Sequence, residues 1–201
     1  GKQNDVPTLT GTNADDLGAP SDGSLHPDAW RQQAEKRFGT FATRFLELYP
    51  ATTVDEVAGQ RKQSARDQSR VSMYLWALQR AHTAKTKAFT YYWNHTLPGP
   101  DSARYAAFHT SEVPYALHTL YMSDRPFTDD DRHVEEQMSS YWTNFALHGD
   151  PNGKGLAAWP AVAADKPVTM QVGDQPGPIA IASSPRALEF WKEYFAETGK
   201  R

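Results

Sequence analysis

The stretch VPTLTGTNADDLG, residues 6–18, joins an apolar, β-branched run to a loop that carries two adjacent carboxylates. The run predicts a short strand over residues 6–13, because Val and Thr favour extended backbone. Asp15 and Asp16 follow it directly. In open α/β sheets, ligands and catalytic groups gather at the carboxyl ends of strands. Two acids in a loop rich in Gly, Ser and Pro are more often part of an ordinary turn, so both interpretations stay open at this point.

Helices and strands alternate along the rest of the chain. Apolar periodicity predicts helices over residues 30–38, 41–49, 54–82 and 129–148, and from residue 185 onward. Thr128 is an N-cap, with Asp131 three residues later completing a capping box. Residues 88–96 and 167–173 alternate apolar and polar side chains and predict strands. The order indicates an α/β fold with an incomplete, mostly parallel sheet flanked by helices, in which only about three strands can be assigned.

Composition excludes several classes of function. The 201 residues carry a net charge of −3, which gives no basic face and argues against a nucleic-acid partner. The chain has no cysteine, so disulfides, thiolate nucleophiles and cysteine zinc sites are excluded. No run of about 18 apolar residues is present, so no membrane span is expected.

The stretch AAFHTSEVPY, residues 106–115, places a histidine after a run of small and aromatic residues, with a glutamate three residues later. A histidine that moves protons needs a partner carboxylate and a nucleophile. Asp16 and His109, each in a loop after a predicted strand, match the second and third places of the Ser, acid, His order of α/β hydrolases. No Gly-x-Ser-x-Gly occurs in the sequence, and position alone does not separate His109 from the other six histidines.

A metal site is the alternative for the same residues. His109 and Glu112 stand three residues apart, a spacing that di-iron carboxylate bundles use on two helices. Here the pair occurs once, beside Pro114 and outside any predicted helix. A metal-dependent protein would use these two side chains with the Asp15–Asp16 pair. We expect no metal and no other cofactor.

Three motifs resemble one known family. They are GTNADD (residues 11–16), AAFHTSEVPYAL (residues 106–117) and YWTNFALHGDPNGKGLAAWPA (residues 141–161). Their order and wording resemble the C-terminal part of type B carboxylesterases, which include para-nitrobenzyl esterases and cholinesterases. The family's corresponding patterns are Gly-x-Asn-x-Asp-Glu, Gly-Ala-x-His-x-x-Glu, and Tyr-Trp-x-Asn-Phe-Ala-x-x-Gly-Asp-Pro-Asn-Gly before Trp-Pro. The three motifs are spread along the chain from residue 11 to residue 161, so the resemblance extends over most of its length.

The resemblance implies that residues 1–201 are the C-terminal portion of a single α/β-hydrolase domain. The upstream half, with the nucleophile elbow and the oxyanion loop, would be absent. Asp16 would be the triad acid, where the family more often has Glu, and His109 the triad base. Glu112 would hold the histidine loop without reacting, and Leu17 replaces the family's usual Gly. The implied activity is hydrolysis of carboxylic esters by a serine esterase, in which these 201 residues alone are inactive.

The same resemblance sets expectations about partners. The substrate would be a small-molecule carboxylic ester. The first strand would present an unpaired apolar edge, which predicts either a companion N-terminal fragment or self-association. A non-catalytic binding or adhesion module of the same fold is the alternative function. The compartment stays open, and the frequent export of similar bacterial proteins favours the periplasm or the outside of the cell.

Overall fold

The computed structural model describes residues 3–16 and 25–199. Its strands and helices are, in chain order, β1 (Thr8–Asn13), α1 (Pro27–Phe38), α2 (Ala42–Leu48), α3 (Val54–Thr83), β2 (Ala88–Trp93), α4 (Ser102–Tyr105), α5 (Val113–Ala116), α6 (Asp129–His148), β3 (Val168–Val172), β4 (Gly177–Ala180) and α7 (Pro185–Thr198). Short 3-10 turns occupy Gly39–Phe41 and Leu120–Met122. The long helices and the strands β1 to β3 confirm the elements predicted from the sequence.

The four strands form one sheet in the order β1-β2-β3-β4. β1, β2 and β3 are parallel, and β4 returns antiparallel to β3. The α/β class with a mostly parallel sheet is therefore confirmed. The expected count of about three strands was too low, because β4 has only four residues and contains Pro178. Proline cannot donate to a ladder and is tolerated at a sheet edge, which is where β4 lies in the described chain.

The described residues form two compact units. The sheet unit comprises residues 3–16 and 73–180 and holds all four strands. The helical unit comprises residues 25–72 and 181–199 and holds α1, α2, the first part of α3, and α7. The assignment of residues 1–201 to a single α/β-hydrolase domain stays a prediction.

Helices cover both faces of the sheet unit. On one face, Phe89 of β2 packs edge-on against Phe145 of α6, with ring centroids 6.2 Å apart. On the other face, the Thr10 hydroxyl of β1 donates to Met73 Sδ of α3 at 3.2 Å. Because Thr10 lies opposite Thr90 and strand side chains alternate, Thr10 and Phe89 point to opposite faces. The strands therefore bury residues on both sides, as parallel sheets usually do.

The long motif of residues 141–161 comprises the end of α6 and the first part of the connection that follows it. Asn152 Oδ1 accepts the backbone N–H of Trp159 at 2.7 Å, and its Nδ2 donates to the Trp159 carbonyl at 2.9 Å. The indole Nε1–H of Trp159 then donates to the carbonyl of Thr90 in β2 at 3.1 Å. This part of the motif is structural, because Asn152 replaces a missing strand partner for the backbone of Trp159.

The helical unit is built on aromatic packing and one buried carboxylate. Its aromatic core is formed by Phe38, Phe41, Phe45, Phe190, Trp191 and Tyr194. Asp67, which is fully buried, accepts hydrogen bonds from the Tyr49 hydroxyl at 2.9 Å, from Arg70 at 2.9 Å and from the Ser183 backbone at 2.8 Å. A buried charge is tolerated only when it is paired and bonded in this way.

Side chains and a glycine cap the ends of the longer helices. Thr128 and Asp131 form the expected capping box at the start of α6. Gly149 ends that helix in the left-handed conformation, and Ser184 caps α7 through the Ala187 N–H. None of the helices in residues 3–16 and 25–199 combines the length and apolar character that crossing a membrane requires.

Candidate functional site

Two loops lie side by side at the carboxyl ends of β1 and β2. The acid loop is residues 13–16, and the histidine loop is residues 106–112. The Asp15 N–H donates to the Ala107 carbonyl at 2.9 Å, and Asp15 pairs with Phe108 in an isolated parallel bridge. The backbone of residue 15, just beyond β1, thus pairs with the histidine loop, and this brings Asp16 and His109, the next residues, within reach of each other.

Asp16 and His109 meet across these loops. Asp16 Oδ1 lies 2.7 Å from His109 Nδ1, although 93 residues separate them in the sequence. The His109 side chain is 77% exposed and that of Asp16 is 38% exposed. A carboxylate that accepts Nδ1–H leaves the lone pair of the neutral imidazole on Nε2, where it can accept a proton. The arrangement can therefore act as an oriented general base.

Asn13 and Glu112 fasten the histidine loop to β1. Asn13 Nδ2 lies 2.7 Å from the Phe108 carbonyl and 2.5 Å from Glu112 Oε2. Tyr91 of β2 lies near the same carboxylate, whose charge is one cause of the raised pKa of that tyrosine. Burial raises the pKa of Tyr91 well above its usual range, and the carboxylates of Glu112 and Asp16 raise it further. Tyr91 therefore stays protonated at neutral pH.

A third hydrogen bond holds the same loop from the interior. The indole Nε1–H of Trp93 donates to Ser111 Oγ at 2.8 Å, and both residues are buried. Sequence reasoning missed Asn13, Tyr91 and Trp93. The available signal was the alternation of β2, which places Phe89, Tyr91 and Trp93 on one face of the strand.

The backbone of the histidine loop includes two unusual conformations. Ala106 has φ 48° and ψ −131°, and Thr110 has φ 72°. Residues with side chains rarely adopt positive φ, and such positions store strain that surrounding contacts must hold. Ala106 stands where the family pattern quoted above has Gly. The loop is therefore under strain at two positions on either side of His109.

Asp15 and Leu17 are the other residues singled out in the acid-loop motif. Asp15 is buried, and its backbone carries the bridge to the histidine loop. Leu17, which replaces a family glycine, lies outside the described residues. Within the described ranges, no group of three or more His, Cys, Asp or Glu side chains is arranged to hold a metal ion.

A second histidine–carboxylate group lies just after β2. His95, only 9% exposed, places Nε2 2.8 Å from Asp131 Oδ1, and its Nδ1 bonds to Asp174. The Tyr115 hydroxyl donates to the same Asp131 oxygen at 2.7 Å. Burial alone would raise the pKa of Asp131, but the hydrogen bonds from His95, Thr128 and Tyr115 lower it to about 2. Both ring nitrogens of His95 are occupied, so it is not available as a base.

Comparison with known proteins places this geometry in context. The sequence model of the carboxylesterase family matches residues 21–191. The chain is 28% identical over 208 residues to the pyrethroid hydrolase Ces2e of Rattus norvegicus. That alignment covers 92% of this chain and 36% of the rat protein. It is 29% identical over 206 residues to the cocaine esterase of Oryctolagus cuniculus. This second alignment covers 92% of this chain and 38% of the rabbit protein.

A solved structure of a thermophilic PNB esterase is also similar. It superposes with a TM-score of 0.66 and 21% sequence identity, over 92% of this chain and 38% of that one. This likeness confirms the α/β-hydrolase fold. The chain thus spans little more than a third of the length of these relatives.

Proposed function

Because the chain belongs to the carboxylesterase family, we propose that it is part of a serine esterase in which Asp16 and His109 are the acid and the base of a Ser-Asp-His triad. The observation that carries the proposal is the 2.7 Å contact between Asp16 Oδ1 and His109 Nδ1. The family more often has Glu at the acid position. The contact supports Asp16 in that role, because its shorter side chain reaches the imidazole.

The proposed reaction uses a serine from a segment outside these 201 residues. His109 Nε2 accepts the serine proton as the hydroxyl attacks the ester carbonyl, and Asp16 stabilises the imidazolium that forms. His109 then protonates the leaving alcohol. A water molecule attacks the acyl-enzyme in the same manner, and His109 returns the proton to the serine. The donors that stabilise the oxyanion also come from outside the chain, and each would contribute about 3–4 kcal/mol.

The proposed substrate is a small-molecule carboxylic ester. The relatives are named as a pyrethroid hydrolase and a cocaine esterase. We take from these names only the class of reaction. The exposed position of His109 is consistent with a site that a further segment completes.

The proposed partner is the segment that carries this serine, bound along the free edge of β1. The Thr8 N–H donates to Lys87 and the Ala14 N–H donates to Trp93, so the even-numbered residues of β1 bond to β2. Leu9, Gly11 and Asn13 then direct their backbone groups away from β2. In the described chain β1 is the last strand on that side of the sheet, and an open parallel edge of this kind favours pairing with another strand. Self-association is the alternative use of the same edge.

The decisive experiment is to express the chain together with the coding sequence upstream of Gly1. A fluorophosphonate probe should label one serine of the longer polypeptide, and short-chain nitrophenyl esters should be hydrolysed. Asp16→Asn should lower kcat by about 10⁴-fold, because the amide stabilises the wrong tautomer. His109→Gln should do the same, whereas His118→Gln, at another exposed histidine, should have little effect.

Full activity in both triad variants would overturn the proposal. A folded polypeptide that the probe does not label would instead favour a binding or adhesion module of the same fold. The 201 residues alone should show no enzymatic turnover, and measurable hydrolysis by them would contradict the assignment of the serine to another segment.

A further inference from the structure

We infer that Trp76 of α3 and the free edge of β1 form one docking surface. The segment that carries the serine adds a β-strand to this edge and buries an apolar side chain against the indole of Trp76. This role of the surface rests on the proposed function, because that function takes its serine from outside these 201 residues. It names the side chain that anchors the partner and the kind of strand that fits.

Trp76 differs from the other five tryptophans of the chain. It is 45% exposed, whereas the others are buried or half-buried. Within residues 3–16 and 25–199, it is also the one tryptophan whose ring does not pack against another aromatic ring. A single exposed apolar side chain is common on protein surfaces, so the exposure of Trp76 gains its meaning from what lies beside it.

The helical spacing of α3 places Trp76 beside β1. The Thr10 hydroxyl of β1 donates to Met73 Sδ at 3.2 Å. Two helical turns later, Arg80 Nε donates to Thr8 Oγ1 at 2.7 Å. Residues three and four apart are neighbours on a helix surface, so Trp76 adjoins both Met73 and Arg80. Along β1, Trp76 therefore lies at the level of residues 8–10.

Trp76 lies on the side of α3 that faces away from β2. On the other side of the helix, the hydroxyl of the buried Tyr74 donates to the Ala163 carbonyl at 3.0 Å. Ala163 follows Val162, whose N–H donates to Ala88 of β2. Successive helical residues are about 100° apart, so Tyr74 and Trp76 lie on nearly opposite sides of the helix axis. Because Tyr74 extends over β2, Trp76 extends past β1, where the described chain has no further strand.

The backbone of β1 next to Trp76 offers hydrogen-bonding groups to a new strand. Leu9 and Gly11 direct their N–H and C=O groups away from β2, towards the side on which Trp76 lies. A strand that pairs with this edge places every second side chain on the α3 face, level with Thr8 and Thr10. These side chains would meet the indole. The partner that fits is therefore a β-strand with apolar side chains at those positions.

The opposite face of the same edge is already covered from within the sheet unit. A Cβ atom at Gly11 would overlap the Tyr91 ring, which lies opposite it in the register of β1 and β2. Trp142 of α6 packs against that ring, with centroids 5.2 Å apart. Glycine thus allows a ring of β2 to fill the α6 side of β1. The apolar surface that a partner would bury lies on the α3 side, at Trp76.

The position of the acid loop favours the serine-carrying segment over a second copy of this chain. β1 leads directly into that loop, so a parallel strand beside β1 would end near Asp16 and His109, where the proposed reaction needs the serine. Two copies related by a twofold axis would pair their β1 strands antiparallel and bring no nucleophile to either histidine. The matched part is only 36% and 38% of the two relatives, so most of each relative lies outside it.

¹⁹F NMR of protein labelled with 5-fluorotryptophan tests the surface directly. The resonance of Trp76 is the one that Trp76→Phe removes, and its shift between H₂O and D₂O measures the exposure of the ring to solvent. The 201-residue chain at low concentration should show this isotope shift at Trp76. The longer polypeptide, expressed with the coding sequence upstream of Gly1, should have lost most of it.

Two alanine variants provide a matched comparison. Trp76→Ala should leave the thermal midpoint of the 201-residue chain nearly unchanged, because the side chain is exposed there. The same change should lower the midpoint of the longer polypeptide by several degrees. Leu147 is an exposed apolar residue of α6, the helix on the other face of the sheet. Leu147→Ala should have the same small effect in both proteins.

The outcomes separate the docking surface from the proposed triad. A full isotope shift at Trp76 in a longer polypeptide that the fluorophosphonate probe labels would overturn the docking role and leave the triad intact. Loss of the shift in a folded longer polypeptide that the probe does not label would support the docking surface, and the triad would fail.

Two further results would also overturn the inference. An isotope shift that falls as the concentration of the 201-residue chain rises would show that a second copy occupies the surface. A fall in thermal midpoint of equal size for Trp76→Ala in both proteins would show that Trp76 stabilises the sheet unit itself rather than a bound strand.

Discussion

Ala106 shows how a single side chain affects the histidine loop. Its φ of 48° and ψ of −131° suit glycine, which pays no steric penalty there. We expect Ala106→Gly to raise the free energy of unfolding by about 1 kcal/mol, because relief of strain outweighs the added flexibility of the unfolded chain. Urea denaturation followed by circular dichroism measures the change.

The neighbouring residue provides the control for that prediction. Ala107 is buried and is not among the residues with positive φ. Ala107→Gly should therefore lower stability by about 1 kcal/mol or more, through lost packing and greater unfolded-state entropy. Destabilisation of similar size in both variants would show that Ala106 is not strained.

Asp131 makes the stability of the sheet unit depend on pH. Its folded pKa of about 2 lies below the usual unfolded value near 3.9, so its carboxylate stabilises the folded state above about pH 4. That contribution, of the order of 2 kcal/mol, is lost as the pH falls from about 4 towards 2. We expect Asp131→Asn to destabilise the protein at pH 7 and to reduce the loss of stability between pH 5 and pH 2.

Thermal unfolding over that pH range measures the effect. Asp165→Asn, at an exposed position, serves as the control and should leave the pH dependence of the wild type unchanged. If Asp131→Asn and the wild type lost stability in parallel between pH 5 and pH 2, the hydrogen bonds from His95 and Tyr115 would not control the ionisation of Asp131.

At the residue scale, Asp16, His109 and Glu112 could be identified as candidates from the sequence. The residues that hold them in place could not. The candidates stand in motifs with a fixed order. Tyr91 lies in an aromatic strand, where a tyrosine is expected to be core. Its place opposite Gly11 depends on the register of β1 and β2, and a register is a property of two strands rather than of one.

At the scale of elements, Asn152 makes a prediction about the connection between α6 and the sheet. Its side chain bonds to both backbone groups of Trp159, so Asn152→Ala should lower the free energy of unfolding by about 1–3 kcal/mol. Asn152→Asp keeps an acceptor for the Trp159 N–H and loses the donor to its carbonyl. Its free energy of unfolding should therefore lie between those of the wild type and Asn152→Ala. Chemical denaturation of the three proteins tests this order, with the exposed Lys154→Ala as the control.

If Asn152→Ala proved as stable as Lys154→Ala, the hydrogen bonds between Asn152 and Trp159 would not explain why the long motif has these residues. The outcome matters because this motif contributed most to the resemblance while containing no proposed catalytic residue.

The elements were predictable to the extent that their signals are local. Capping residues and apolar periodicity give both limits of α6 and the start of α7 within a residue or two, because both signals are local. β4 was missed because four residues with a proline carry no strand signal of their own and depend on pairing with β3. The four-residue helices α4 and α5 are likewise too short for periodicity to show.

At the scale of the whole molecule, the open side of the sheet is the feature that the proposed function must explain. Every described residue of the candidate site lies in the sheet unit, and β1 carries the acid loop directly. A strand added along β1 would therefore lie next to Asp16 and close to His109. The segment that supplies the serine has a structural reason to bind there as well as a chemical one.

Amide exchange along β1 tests that reasoning with an internal control. In the 201-residue chain at low concentration, the amides of Thr10 and Thr12 should exchange slowly because they bond to β2, and those of Leu9 and Gly11 should exchange quickly. Addition of the segment that restores esterase activity should slow Leu9 and Gly11 while Thr10 and Thr12 change little, as expected for a strand that adds to one edge. Protection of Leu9 and Gly11 that grows with the concentration of the chain alone would indicate self-association through the same edge. Activity restored without any change at Leu9 and Gly11 would mean that the serine reaches His109 from elsewhere, and the role of β1 as the docking edge would have to be abandoned while the triad itself stood.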